Sequence, residues 1–133
     1  MRRALSLRSE RGQAAAELAL VLPILAAILL AIAQFGIAFN NYITLTDATR
    51  AGARKAAVAR FTGDSGAAAK ALVYSSASGL SSPPLQVTVE SDSNWKIPGT
   101  DVTVTARYPY SINILGITVK SGDLVSTQKE RLE

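Results

Sequence analysis

The chain contains no cysteine and no histidine. It therefore makes no disulfide, thiolate nucleophile, imidazole base or histidine- or cysteine-built zinc site, and any domain it forms must hold together by packing alone. Residues 61–133 are enough for a small sheet and a helix, but such a unit is marginal by itself and gains from support by a long helix or by neighbouring subunits.

Charge is missing altogether from residues 18–33, and after Gln34 the apolar run resumes through Phe39. As a helix, residues 18–39 would extend about 33 Å, enough to cross a hydrocarbon core of about 30 Å. Arg2, Arg3, Arg8 and Arg11 precede the run against a single acid, Glu10. Such a basic flank holds an N-terminus in the cytoplasm and sends the rest of the chain across. The 14 Lys and Arg outnumber the 10 Asp and Glu mainly because of this leader. The remainder is nearly balanced and lacks the clustered basic face that nucleic acid calls for.

Helix signals continue past the apolar run. Tyr42, Leu45, Ala48, Gly52, Ala53 and Ala56 recur at three- and four-residue spacing, which predicts a narrow apolar face of small side chains. Arg50, Arg54, Lys55 and Arg60 suit the negative end of a helix dipole, and Gly63 reads as a stop. One helix over 13–60 would reach roughly 70 Å. Asp64 or Ser65 can cap a second helix through Ala67 to Val73, which fades in a serine-rich stretch before Pro83 and Pro84. Beyond them the period becomes two. Leu85, Val87 and Val89, then Val102 and Val104, alternate with polar residues, predicting two antiparallel strands joined through residues 91–100 with Trp95 in the middle. Residues 112–119 read as a third strand or as an apolar loop broken at Gly116, and 124–129 as a weakly patterned last strand.

Three readings of the N-terminus follow from the residues. Ala31, Ile32 and Ala33 have the small-x-small form of a signal-peptide cleavage site. A plain single-pass anchor would leave Glu17 in the headgroup region. In the third reading, Gly12, Gln13 and Glu17 resemble the processing site of type IV prepilins, where a membrane peptidase cuts after the glycine.

The resemblance extends through Arg11-Gly12-Gln13-Ala14-Ala15-Ala16-Glu17-Leu18-Ala19-Leu20-Val21-Leu22-Pro23, Phe35-Gly36, and the segment from Leu45 to Arg54. Together these look like the TadE-like pseudopilins of the tight-adherence (Flp-type) pilus, in which an A-R-x-G-A-R segment follows the same blocks. Thr49 stands here in place of the usual Ala, and Lys129-Glu130-Arg131 replaces a Met-Arg pair often found near the family's end. Val102-Thr103-Val104, Tyr108-Pro109-Tyr110 and Leu115-Gly116 resemble the family's C-terminal half more loosely.

The resemblance implies a structural subunit without catalysis or cofactor. It also implies a basic leader (1–12), removal of that leader by a prepilin peptidase with Gln13 as the new N-terminus, and partnership with other pilins and an inner-membrane assembly platform. Glu17 would then serve assembly, and Pro23, unable to donate to the carbonyl of Ala19, would either loosen the helix for extraction or simply be tolerated in the membrane. Arg50, Gly52, Ala53 and Arg54 have two readings: close intramolecular packing beneath solvated arginines, or a contact with acidic partners or anionic headgroups. The expected architecture is α+β and pilin-like. A long N-terminal helix (13–60, membrane part about 18–39) carries a small extracytoplasmic domain (61–133) with an antiparallel sheet and a short helix. An exported or membrane-anchored binding module is the alternative.

Overall fold

The computed structural model describes residues 6–58, 66–80, 84–93, 95–114 and 116–133, with side chains from Gly12 onward. The first arginines, Arg60, Gly63, Asp64, Ser65, Pro83 and Leu115 lie outside the described residues, as do the side chains of Arg8 and Arg11. The elements are α1 (Ser6–Ala57), α2 (Ala67–Ser76), β1 (Gln86–Ser91), β2 (Asp101–Ile114) and β3 (Ile117–Arg131), the three strands forming one antiparallel sheet in the order β1-β2-β3. This is the long helix, short helix and small sheet of an α+β pilin-like fold.

α1 is a single helix of 52 residues that runs on through Pro23. It begins within the basic leader instead of at Gln13, so Gly12 lies inside the helix. Its outer half supplies the predicted small-residue face. Leu45, Ala48, Ala53 and Ala56 are buried with Thr49, whose hydroxyl donates to the Leu45 carbonyl at 2.6 Å and so enters the core satisfied. Tyr42 departs from that face and stays exposed.

α2 packs on α1 where the side chains are smallest. A Cβ on Gly52 would collide with Val73 Cγ2 and come within 3.3 Å of the Ala69 carbonyl oxygen. The N-cap of α2 is Gly66 in place of the expected Asp64 or Ser65, at φ 89° and with no side-chain capping bond. Its missing side chain leaves room for the indole of Trp95, 2.9 Å from where a Cβ would stand. Trp95 itself adopts φ 67° and donates its backbone N–H to Ser91 Oγ at 3.2 Å, tying the β1–β2 connection over the edge of the core.

The sheet departs most from expectation at its far end. Residues 112–114 and 116–119 do not form one element, although the expected break at Gly116 is there. They are the end of β2, a turn with Gly116 at φ 84°, and the start of β3, so β2 and β3 make one long hairpin with a register shift at Ile112 and Asn113. Pro109 is accommodated within β2 because β1 ends opposite Arg107, leaving one ladder to satisfy instead of two. On the core face Val87, Val102, Val104, Ala106 and Tyr108 are buried, and Leu80, Leu85 and Leu132 close the margins.

The hairpin lies along α1. At one end Leu132 N–H donates to the Thr100 carbonyl at 2.8 Å, and Glu133 N–H donates to the carbonyl of Ala57 at 3.0 Å, satisfying a carbonyl at the end of α1. At the other end Tyr108, Pro109, Tyr110 and Ser111 face Gln34, Ile37, Ala38 and Asn41 across a cleft of about 300 Å³. Between these points α1 advances about 28 Å and β2 about 30 Å. The two elements therefore run nearly side by side in opposite directions.

Candidate assembly interface

The first component is the start of the apolar helix. Among the described residues nothing lies within reach of a Cβ at Gly12, and Gln13 Nε2 donates to Glu17 Oε1 at 3.1 Å across one helical turn. Glu17 is exposed and makes this bond with its own helix, on the same strip that carries the apolar residues beyond it. From Leu18 to Phe39 the large side chains point outward: Leu20 is 73% exposed and Phe35 64%. Gly36 likewise has nothing within reach of a Cβ, so among the described residues the Phe35-Gly36 pair is not used in packing. α1 is thus long and apolar enough to cross a membrane, with none of its most apolar window buried by the rest of the described residues.

The second component, the arginine block, is divided by burial. At about 100° per residue Gly52 points about 160° away from both arginines, whereas Ala53 lies only about 60° round the helix from Arg50. Gly52 is buried against α2 and Ala53 within the core, whereas Arg50 and Arg54 face solvent. Arg50 sits 3.8 Å from Asp47 in an exposed i,i+3 pair, worth little in water. The structure brings Gly52 and Ala53 together with the small domain and leaves both arginines at its surface.

Sequence reasoning missed the cleft between residues 34–41 and 108–111. Tyr108-Pro109-Tyr110 and Phe35-Gly36 were each conspicuous, but only the alignment of β2 with α1 places the former beside Gln34 and Asn41. A second site sits at the opposite end of the hairpin, where Lys129 Nζ meets Asp101 Oδ2 at 2.8 Å. The hydrogen bond from Lys129 holds the Asp101 carboxyl below its ordinary value, and the same bond raises Lys129. Among the described residues no group of three or more carboxylates gathers that would hold a metal ion.

A long outward-facing apolar helix, a carboxylate at its entry, and a small α+β domain riding on the other half define a pilin-like protein. Over residues 12–54, which is most of α1, the chain matches the family model described as TadE-like protein. The match is confined to this segment, which is similar to TadE-like proteins, and does not extend into the small domain. No curated protein and no solved structure matches the chain.

Proposed function

We propose that the chain is a minor pilin or pseudopilin of a tight-adherence pilus. It inserts in the inner membrane with its N-terminus in the cytoplasm and its small domain outside, and a prepilin peptidase cuts it after Gly12. An assembly platform then draws it into or beneath the pilus, where it takes part in adherence as a structural subunit and not as an enzyme. The observation that carries this reading is the TadE-like segment lying on an uninterrupted helix whose large apolar side chains from Leu18 to Phe39 stay exposed among the described residues.

The geometry adds a condition to processing. The bond after Gly12 belongs to α1, and a peptidase needs an extended strand, so the first turns must unwind before cleavage. Glycine helps, since inside a helix it is about 0.5–1 kcal/mol less favourable than alanine. Cleavage then removes the arginines and exposes the α-amino group of Gln13, mostly protonated near neutrality, one turn from Glu17. In a low-dielectric bundle, an unpaired Glu17 would be costly. We read its role as docking on the N-terminal amine of an adjoining subunit and setting axial register.

N-terminal sequencing of the protein recovered from its native host tests the proposal. A start at Gln13 is expected. A start at Gln34 would make the apolar run a signal peptide, and an intact Met1 would make it a plain anchor, either result overturning the pilin reading.

A further inference from the structure

The hairpin does not stop at the outer half of α1. From the cleft at residues 108–111, β2 continues to Ile114 before the turn at Gly116, which at about 3.3 Å per residue carries the tip a further 15–20 Å toward the start of α1. That distance on a helix is about ten to thirteen residues, so the tip comes alongside the middle of the apolar run. Burial along α1 follows the same course. Ala27, Ala31, Gln34, Ala38 and Asn41 form a strip at three- and four-residue spacing, all partly covered and continuous with buried Leu45, with Ala26 partly covered beside it, while Ala19 and Ala33 are exposed.

The tip is chemically unlike the rest of the domain. Residues 108–119 carry no charge, and Ile117 and Val119 are 70% and 62% exposed. The first charge after the turn is Lys120, exposed and paired in register with Ile112, and Tyr110 lies on the domain side of it. An uncharged tip followed by a lysine and a tyrosine matches the layering of a bilayer's outer half, from acyl chains to anionic phosphates.

We propose that the β2–β3 tip is a second membrane contact, entering the outer leaflet beside α1 with Ile117 and Val119 against lipid and Lys120 at the phosphates. The occupant is lipid because the tip lies level with the segment that itself requires lipid. Depth is limited by the backbone. The hairpin pairs β2 with β3, but its outer edges keep unpaired N–H and C=O groups that are not tolerated in the hydrocarbon centre. The tip therefore sits shallowly, and the bilayer rides lower on α1 than residues 18–39 imply. Gln34, Asn40 and Asn41 are then left at or above the headgroups.

This inference rests on α1 spanning the membrane, and the two can be told apart. The absence of native cysteine makes Ile117→Cys and Val119→Cys unique attachment points for an environment-sensitive fluorophore, with Ser78→Cys on the domain surface as reference. The full chain is reconstituted in phosphatidylethanolamine–phosphatidylglycerol vesicles and checked for carbonate-resistant co-flotation. Positions 117 and 119 should show blue-shifted emission, quenched more by shallow than by deep spin-labelled lipids, while position 78 stays aqueous and unquenched. Co-flotation with aqueous emission at 117 and 119 overturns the tip contact and leaves the span intact. A blue shift without lipid quenching means cover by protein and overturns it too. Loss of co-flotation overturns both.

Discussion

The two halves of α1 meet opposite surroundings with one backbone. Leu22, Ile28 and Phe35 in the first half are each more than half exposed, whereas Leu45, Ala53 and Ala56 in the second have no measurable exposure. Hydrophobicity alone does not separate them; size does. Where the face narrows to Ala, Gly and Thr, α2 and the sheet can approach, and where it bristles with Leu and Ile they do not. The small-residue half is a docking track within the molecule, and the bulky half is left for lipid or neighbouring subunits.

The sharpest way to break this contrast is at the entry to the bulky half. Glu17→Ala should leave the small domain folded by circular dichroism. It should reduce incorporation into pili severely, consistent with about 3–5 kcal/mol for removing one partner of a buried pair; wild-type processing and assembly levels in the native host would remove the proposed role. Next comes a matched pair of leucines. Leu45→Ala should destabilise the domain by about 2–5 kcal/mol in detergent unfolding, while Leu25→Ala, exposed at 55%, should stay within about 0.5 kcal/mol. Equal effects would mean that the halves do not differ in packing.

Gly52→Ala follows. On an open helix it would stabilise, but the collision with Val73 should make it destabilising by about 1–3 kcal/mol, and pairing it with Val73→Ala should recover part of the loss. The smallest effect belongs to the exposed Asp101–Lys129 pair. Because Asp101 titrates lower when folded, its contribution is present above the ordinary carboxylate range and fades as pH falls through the lowered value. Lys129, raised when folded, contributes below its ordinary value of 10.5 and loses that as pH rises through the raised one. Asp101→Asn should thus slightly flatten both the acid and the alkaline limbs of a melting-temperature profile.

What the sequence discloses follows the reach of its periodicities. Leu45, Ala48, Gly52, Ala53 and Ala56 can be read as a face because neighbours three and four residues away share one environment, and Val102 and Val104 declare an inward-facing strand by alternation. β3 hides for the converse reason. Of its fifteen residues only Ser126 is buried, so no apolar alternation exists to be read. Its pairing with β2, and the place of Pro109 in a strand, depend on contacts far apart in sequence. The Gly12-to-Glu17 block was legible as a motif and residues 13–17 as helix, but the start of α1 inside the basic leader, which takes in Gly12, was not. Gly66 and Trp95 escaped because their backbone conformations are set by each other's packing.

The side-by-side course of α1 and β2 has a mechanical consequence. Under the proposed function, extraction from a membrane would pull along the axis of α1, and that line of force would run parallel to β2. Strand hydrogen bonds lie across it, so the load reaches the β1–β2 and β2–β3 ladders in shear, where many bonds must yield together, and not as an unzipping from one end. In single-molecule pulling, the domain should withstand higher force when drawn along α1 than when β3 is peeled away from its Arg131 end. The small sheet would then be least deformable in the direction in which an assembling pilus strains it.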